Sequence, residues 1–228
     1  MSAPTNRPKI TLKLATSLDG KIALENGESK WVTSDEARAH GRSLRASHDA
    51  IAIGANTAEM DDPRLTSRMA GKPDPIRIVY DSGMGIKLDS HLVATAKETP
   101  TWIFVRGEGI IYPDNCAKAS RLRERGVVLH EMGGDERGID LKRSVEIMYE
   151  GGIRSLLVEG GGRLIASFIR EGFFDEIHWY RAPVLLGGDG RDCIGALSLT
   201  KMDQAIRLHR MKNTEVGRDL HEIYVKAD

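Results

Sequence analysis

A run of three glycines at residues 160–162 is the feature of the sequence best suited to binding a ligand. The apolar stretch Leu156–Glu159 leads into it, and a helical pattern, Leu164–Arg170, follows. Glycines let a backbone approach a ligand closely, and the free N–H groups at a helix start attract phosphate oxygens. The run is neither the GxGxxG dinucleotide fingerprint nor a P-loop. It indicates either a diphosphate cradle or a tight strand-to-helix turn without a ligand.

Two further segments place polar residues directly after strand-like stretches. Residues 53–63 contain Thr57 and end on Asp61-Asp62-Pro63, which fits either a ligand loop or a turn that ends a short helix. Lys13–Ala23 leads into a polar loop with the isolated Trp31, whose ring could stack on a bound ring or pack within the protein. Ligands of open α/β sheets bind outside the carboxyl ends of the strands. We therefore expect residues 53–63, which contain Gly54, and the glycine run at residues 160–162 to lie at the same edge of a sheet.

Short β-branched runs bounded by turn residues predict the strands of that sheet. They are Ile10–Ala15, Asp49–Gly54, Ile76–Asp81, Thr101–Val105, Val127–Glu131, Ser155–Glu159 and Glu176–Ala182. Two more runs near the C-terminus, Ala205–Met211 and Leu220–Lys226, flank the polar stretch Lys212–Arg218, which predicts an antiparallel hairpin.

Helical patterns lie between the predicted strands. The clearest is Leu141–Glu150, which has apolar residues on one face and ends at Gly151-Gly152. Another helix is predicted to start near Thr33 as N-cap, with Glu36 as its capping-box partner. Alternation of this kind predicts an α/β fold with a mixed, mostly parallel sheet and helices on both faces. We expect a single domain over residues 1–228, with residues 1–8 as a flexible tail.

Composition and charge narrow the class of protein. The chain has 33 basic and 33 acidic residues, so no overall field favours nucleic acid or a membrane surface. No apolar stretch approaches the roughly 20 residues that span a bilayer, and residues 1–8 do not resemble a secretory signal. Cys116 and Cys193 lie far apart without a paired-cysteine or His-rich motif, so we expect free thiols and no metal site. A soluble cytoplasmic protein is predicted.

The ordered set of motifs resembles the reductase domain of the bifunctional riboflavin-biosynthesis deaminase/reductase, a member of the dihydrofolate-reductase-like superfamily. The resemblance spans nearly the whole chain. Its motifs are residues 15–21 (ATSLDGK), 29–33 (SKWVT), 44–46 (LRA), 49–51 (DAI), Thr57, 61–66 (DDPRLT), 75–77 (PIR), 81–82 (DS), 159–162 (EGGG), 175–176 (DE) and 183–187 (PVLLG).

This resemblance implies an NADPH-dependent reductase that acts on a phosphorylated ribosylamino-pyrimidine. It assigns the cofactor to Ala15, Trp31, Thr57, Asp61, Ser82, Gly161, Gly162, Arg163, Leu164 and Ser167. It assigns the substrate to Ser29, Arg45, Leu65, Arg68 and Glu159. The charged forks of Arg45 and Arg68 suit a ribose phosphate, because charge-assisted hydrogen bonds are the strong ones.

Two positions depart from the family pattern. Arg42 stands where a histidine is common, and Gly85 replaces an arginine often found shortly after Asp81-Ser82. The second change removes a charge near the expected adenosine end of the cofactor, which leaves the preference for NADPH over NADH open. Lys87 or Arg106 could compensate for it.

The implied reaction opens a ribosylamine ring to an imine and delivers hydride from the nicotinamide to C1′. The protein must position the reacting carbons and manage one proton. The candidate proton-handling residues are Lys13, Asp61 and Glu159. We expect positioning to dominate and no single acid to be indispensable. Asp19 is expected to hold the turn at Gly20.

The sequence leaves alternatives open for the substrate and for the class of protein. The primary substrate is 5-amino-6-(5-phosphoribosylamino)uracil, and the alternatives are the non-deaminated 2,5-diamino-6-ribosylamino-pyrimidinone 5′-phosphate or another pterin- or pyrimidine-like compound. These 228 residues contain no His-x-Glu with a following Pro-Cys-x-x-Cys, so we expect no zinc deamination from them. A non-catalytic NADP-binding protein is the alternative from another class. The resemblance suggests a homodimer, with Ala205–Met211 as part of its interface.

Overall fold

A computed structural model describes residues 6–107, 113–135 and 138–227 of the chain. Its strands are β1 (Lys9–Thr16), β2 (Lys21–Ala23), β3 (Ala50–Gly54), β4 (Ile76–Tyr80), β5 (Thr101–Arg106), β6 (Val128–Met132), β7 (Gly134–Asp135), β8 (Gly138–Ile139), β9 (Ser155–Glu159), β10 (Glu176–Arg181), β11 (Arg191–Asp192), β12 (Leu208–Val216) and β13 (Asp219–Lys226). Its helices are α1 (Asp35–Arg45), α2 (Ala55–Asp61), α3 (His91–Ala94), α4 (Pro113–Glu124), α5 (Leu141–Glu150) and α6 (Gly162–Arg170), with a 3₁₀ turn at Met202–Gln204.

The chain divides into two compact units. The first unit contains Arg45–Leu157 and the described residues before Lys9, and the second contains Lys9–Leu44 and the chain from Val158 onward. Strand β9 begins in the first unit and ends in the second. The single domain expected from the sequence stays a prediction, and part of the predicted tail, residues 1–5, lies outside the described residues.

The first unit is built on parallel strands. Strands β3, β4, β5 and β6 are neighbours in that order, and each adjacent pair is parallel. Strand β6, at the end of this order, has mostly half-buried or exposed side chains, whereas the central side chains of β3, β4 and β5, including Ile53, Ile78 and Ile103, are buried. Near-continuous apolar runs are typical of parallel strands whose two faces are both covered, which is why these strands were readable from the sequence.

The second unit contains a mixed sheet in the order β12-β13-β10-β1. Strands β1 and β10 are parallel, whereas β13 is antiparallel to both β10 and β12. The predicted mixed, mostly parallel sheet with a C-terminal antiparallel hairpin is therefore confirmed. In the register of β1 and β10, Lys13 lies opposite His178 and Ala15 lies opposite Tyr180.

Two local predictions were wrong. The hairpin turn is Gly217-Arg218 rather than the whole polar stretch Lys212–Arg218, because Lys212–Val216 pairs with β13 as an exposed edge strand. A strand that is solvated on both faces carries no apolar alternation to reveal it. Helix α1 is capped by Ser34, not Thr33, since the Ser34 hydroxyl accepts the Ala37 N–H at 3.2 Å.

The remaining sequence expectations concern thiols and membranes. Cys116 is exposed and Cys193 is buried, and both are free thiols. Within the described ranges, no helix combines the length and apolar character needed to cross a bilayer. The cytoplasmic location stays a prediction.

Candidate active site

The structure brings Lys13 and Glu159 together in the second unit. Lys13 lies on β1 and Glu159 is the last residue of β9, and Lys13 Nζ is 4.0 Å from Glu159 Oε2. Only 20% of the Lys13 side chain and 12% of the Glu159 side chain are exposed. Each charge offsets part of the desolvation cost of the other. The pair therefore presents an ammonium and a carboxylate side by side, which suits proton transfer.

Gly41 makes room for the Lys13 side chain. It is a buried residue of helix α1, and a Cβ at this position would lie 3.3 Å from Lys13 Cε. This distance is shorter than the roughly 3.5–4.0 Å optimum for two carbon atoms. The close approach of helix α1 therefore restricts where the Lys13 stem, and with it the ammonium, can lie.

Tyr180 also lies near Lys13. Its ring centroid is 5.9 Å from Lys13 Nζ, and its hydroxyl is 2.7 Å from Nδ1 of His40 on helix α1. Burial and the charge of Glu159 raise the pKa of the Tyr180 hydroxyl, so the hydroxyl stays protonated. Tyr180 is thus a neutral hydrogen-bonding group beside the charged pair.

Two histidines extend this arrangement behind Tyr180. The His221 ring stacks on the Tyr180 ring with centroids 4.4 Å apart, and His221 Nε2 lies 3.2 Å from His178 Nδ1. Burial lowers the pKa of His221 to about 4, and the neighbouring His178 and His40 act in the same direction. His221 is therefore neutral at physiological pH, and it supports Tyr180 without adding charge.

Sequence reasoning did not select Tyr180 or His40. The available signal was the alternation of Glu176, His178 and Tyr180 along the predicted strand, because alternate residues of a strand share one face. Lys13 is on the adjacent strand in the register of His178. The strand pairing needed to join these residues was not readable from the sequence.

The glycine turn follows Glu159 directly. Gly160 and Gly161 have φ angles of 76° and 79°, in the left-handed region that favours glycine. A Cβ at Gly162 would lie 2.5 Å from the backbone oxygen of Asp192, so the protein's own packing requires this third glycine. Among the described residues, no side chain caps the start of helix α6. The turn therefore offers backbone N–H donors suited to phosphate oxygens.

The other predicted residues near this turn differ in how accessible they are. Arg163 is exposed, whereas Ala15 and Leu164 are half-buried. The Ser167 hydroxyl donates to the Arg163 carbonyl at 3.1 Å and accepts from Arg170 Nη2 at 3.1 Å. Internal contacts thus already engage Ser167.

Trp31, another predicted cofactor residue, belongs to the second unit as well. It is 64% exposed, and the Arg38 guanidinium lies 4.1 Å from its ring centroid. Trp31 lines a cleft of about 470 Å³ with residues at the start of helix α1 and with Gly217-Arg218, and this lining includes neither member of the Lys13–Glu159 pair. Ser29, also predicted as a site residue, is exposed.

In the first unit, Thr57 and Asp61 lie four residues apart on helix α2 and thus on the same helix face. Asp62 ends this helix with a left-handed backbone, φ 36°. Its carboxylate accepts the His91 N–H at 2.8 Å and lies 2.5 Å from His91 Nδ1. The sequence DDP thus forms a helix-ending turn, and that turn holds Asp61 at the helix end.

The segment Leu65–Arg68 carries two of the predicted substrate residues, Leu65 and Arg68, of which Arg68 is predicted to bind the phosphate. Leu65 and Arg68 have φ angles of 54° and 52°, which are uncommon for residues with side chains. Arg45 Nη1 donates to the Thr66 carbonyl at 3.3 Å, so the structure places Arg45 against this segment. Non-glycine residues in the left-handed region cost about 1–3 kcal/mol each and cluster at ligand sites.

Ser82, the remaining cofactor candidate, is exposed in the loop that follows β4. The preceding Asp81 is buried, and its carboxylate accepts the N–H groups of Gly85 at 2.9 Å and Ile86 at 2.7 Å. Asp81 therefore shapes the loop from within.

Asp19 fulfils the structural role expected for it. Its carboxylate accepts the Ser17 hydroxyl at 2.5 Å and the Gly187 N–H at 2.7 Å. These bonds, the one from Ser17 first, lower the pKa of Asp19 to about 2. They hold residues 17–20 against the segment around Gly187.

Comparison with known proteins identifies the family. A family model described as the RibD C-terminal domain matches residues 8–221. The riboflavin biosynthesis protein RibD of Actinobacillus pleuropneumoniae is 38% identical over 223 residues, which cover 97% of this chain and 57% of that protein. The 2,5-diamino-6-ribosylamino-4(3H)-pyrimidinone 5′-phosphate reductase of Methanothermobacter thermautotrophicus is 34% identical over 218 residues, covering 94% of this chain and 96% of that protein.

The solved structures agree with this result. Acinetobacter baumannii RibD, form 2, aligns with a TM-score of 0.82 at 26% identity, over 98% of this chain and 59% of that one. The chain thus spans less than three fifths of the length of these RibD proteins. The chain belongs to the RibD C-terminal domain family, and the resemblance inferred from its motifs is confirmed.

Proposed function

We propose that the chain is an NADPH-dependent reductase of riboflavin biosynthesis. It reduces the ribosyl group of 5-amino-6-(5-phosphoribosylamino)uracil to ribityl. The observation that carries this proposal is the largely buried Lys13–Glu159 pair, whose glutamate directly precedes the glycine turn in a chain of the RibD C-terminal domain family. A proton-handling pair next to phosphate-binding N–H groups suits the reduction of a substrate by a nucleotide cofactor.

The reaction requires one hydride and one proton. The lone pair of the exocyclic nitrogen forms a C=N bond to C1′. The C1′–O4′ bond breaks at the same time, and the electron pair of that bond goes to O4′. When bound, NADPH supplies the hydride that adds to C1′. Lys13 Nζ, 4.0 Å from the Glu159 carboxylate, is the group that we propose donates the proton to O4′. The neutral Tyr180 beside it limits the directions in which the ammonium can turn.

The donor set of the chain fits a dinucleotide phosphate. In the second unit, Gly161, Gly162, Arg163 and Leu164 begin helix α6, whose first N–H groups can bind a diphosphate. In the first unit, Thr57, Asp61 and Ser82 are the residues proposed for the cofactor. Ala15, Trp31 and Ser167 complete the set that the resemblance implies. The internal hydrogen bonds of Ser167 make it a support for the turn rather than a primary donor.

Arg45 and Arg68 are the residues proposed to bind the phosphate of the substrate, and Leu65 and Ser29 are proposed as further contacts. The bond from Arg45 to the Thr66 carbonyl draws its guanidinium to the segment that carries Arg68. Two permanently charged guanidinium groups suit a phosphate dianion. Glu159 would contact the substrate as well as hold Lys13.

A turnover assay tests the function. Purified protein is mixed with NADPH and the phosphoribosylamino-uracil, and the loss of NADPH absorbance is followed. We expect oxidation of NADPH that Glu159→Gln slows and that Glu215→Gln, a change at an exposed residue of β12, leaves unchanged. Tight binding of both ligands without any oxidation would instead support a non-catalytic NADP-binding protein.

The non-deaminated pyrimidinone is the second candidate substrate. The Methanothermobacter relative, which the match covers almost completely, is named as the reductase of that compound. Parallel assays with the two pyrimidines measure the ratio of kcat/KM. A higher value for the diamino compound would transfer the proposal to it.

We also propose that the chain forms a homodimer through the edge of the second unit. Met202, Ile206 and Met211 are exposed there, and Met211 lies at the irregularity in the pairing of β12 with β13. An exposed edge strand with large apolar side chains is a ready site for self-association. Light scattering should give twice the chain mass, and Met211→Glu should halve it. A monomeric wild-type protein would contradict the proposal.

A further inference from the structure

The loop at residues 81–86, called here the Asp81 loop, follows the carboxyl end of β4 in the first unit. In open α/β sheets a carboxylate in such a loop can accept a ribose 2′-hydroxyl, which favours NADH over NADPH. Here the two carboxylate oxygens of Asp81 accept the N–H groups of Gly85 and Ile86 from within the loop. Asp81 is only 2% exposed, so it does not present its charge to a ligand outside. The usual acceptor for a 2′-hydroxyl is therefore turned inward.

Helix α4 brings a positive charge to the same loop. Lys118 is half-buried, and its Nζ donates to the Met84 carbonyl at 2.5 Å. Met84 directly precedes Gly85 in this loop, and it has a left-handed backbone with a φ angle of 56°. An ammonium group has three N–H donors, and this bond uses one of them. Lys118 therefore holds a cation against the Met84 carbonyl, next to Gly85 in the chain.

The sequence suggested two basic residues, Lys87 and Arg106, as substitutes for the arginine that Gly85 replaces. Lys87 is exposed, and its Nζ lies 3.9 Å from Glu59, which offsets its charge. Arg106 contacts the loop through its backbone, because its N–H donates to the Ser82 carbonyl at 3.4 Å. The Lys118 side chain donates a hydrogen bond to the Asp81 loop itself.

We infer that Lys118, together with the hydroxyl of Ser82, recognises the 2′-phosphate of NADPH and replaces the charge absent at Gly85. This inference rests on the proposed function for the identity of the cofactor. It adds the residue that selects NADPH over NADH. A phosphate in place of a hydroxyl gains a charge-assisted hydrogen bond from Lys118 and meets no exposed carboxylate from Asp81.

The inference is tested by calorimetric binding of two probes, adenosine 2′,5′-bisphosphate and AMP, which differ only in the 2′-phosphate. We expect the wild-type protein to bind the bisphosphate at least tenfold more tightly than AMP, the ratio typical of one hydrogen bond to a charged group. Lys118→Met should remove most of this ratio by weakening the bisphosphate alone. Because both probes are measured on the same preparation, partial unfolding of a variant would not change the ratio.

Three further variants control the measurement. Lys87→Met changes the charge equally and should keep the wild-type ratio. Lys118→Arg keeps the charge and should retain most of the ratio. In the double variant Lys118→Met/Gly85→Arg, the ratio should return, because a Cβ at residue 85 would meet only Asp81 Oδ1, at an ordinary 3.7 Å.

The inference is wrong if Lys118→Met weakens both probes equally or neither of them, or if the wild-type protein binds AMP as tightly as the bisphosphate. These results leave the reductase proposal standing, since turnover with NADH would still demonstrate reduction. Conversely, absence of turnover with either cofactor would refute the reductase and leave the binding ratio to decide the role of Lys118.

Discussion

The two units of the protein hold their proposed site residues in different ways. In the second unit, Lys13 and Glu159 lie on strands with mostly buried side chains, and Gly41 and Tyr180 restrict the space around Lys13. In the first unit, Leu65 and Arg68 lie in a loop and adopt left-handed backbones.

This difference matches the tasks proposed for the two sets. A proton donor must be held within a fraction of an ångström, and strands provide that precision. A phosphate is large and has several equivalent oxygens, so residues on loops can bind it with looser geometry. We therefore expect changes in the second unit to lower kcat and changes in the first to raise KM.

The largest effect is expected from Lys13→Met. Removing a positioned proton donor typically costs about 100-fold or more in rate, so kcat should fall by about that factor with little change in KM. Some activity should remain, because hydride transfer still occurs between positioned carbons. Steady-state kinetics measures both constants.

Lys9→Met is the matched control for this prediction, because Lys9 lies on the same strand but is exposed and pairs with Glu176. Its kinetics should match those of the wild type. Equal kcat values for Lys13→Met and the wild type would remove Lys13 from the reaction.

A smaller effect is expected from Arg68. Loss of one charged hydrogen bond to a phosphate costs about 1.5–3 kcal/mol, so Arg68→Ala should raise KM about 10- to 100-fold and change kcat little. Arg68→Gly should raise KM similarly. It should be more stable than Arg68→Ala, because glycine adopts the left-handed backbone without strain. Kinetics and thermal melting separate these two consequences. A fall in kcat with constant KM would contradict the assignment.

The third prediction concerns acid stability and the buried histidine of the second unit. The pKa of His221 is about 4 in the folded protein, whereas an unfolded histidine has its ordinary value of about 6.5. As pH falls from about 6.5 to 4, the unfolded chain therefore takes up a proton that the folded chain does not. The free energy of unfolding should decrease by about 2 kcal/mol over this interval.

Urea denaturation at several pH values in this interval measures the effect. His221→Gln should flatten the dependence on pH, and His209→Gln, at an exposed residue of β12, should not. An unchanged slope in His221→Gln would show that another group causes the acid sensitivity.

Much of the fold was predictable because its strands are apolar runs between turn residues. The predicted runs Asp49–Gly54 and Ile76–Asp81 differ from β3 and β4 by one residue at one end. Strand β12 was misplaced because an edge strand solvated along its length has no apolar pattern. Ser34 and Thr33 are adjacent hydroxyl residues, and only the backbone geometry shows which of them caps helix α1.

The site was predictable only in part. Glu159 and the glycine turn lie in a motif that carries the family resemblance, and Lys13 stands two residues before another such motif, so the sequence drew attention to all of them. His40, Tyr180 and Lys118 do not lie in such motifs. Their relevance depends on contacts between elements far apart in the chain, such as the bond between Tyr180 and His40, and no local pattern specifies those contacts.

At Gly41, thermal stability and catalytic rate favour different residues. A glycine within a helix costs about 1 kcal/mol relative to alanine, so a search for thermostable variants would favour Gly41→Ala. The added methyl group would press on Lys13 Cε and displace the ammonium. We expect this variant to melt no lower than the wild type while kcat falls a few-fold, a trade-off common at functional sites. Selection for heat resistance alone would therefore tend to erode catalysis at this position.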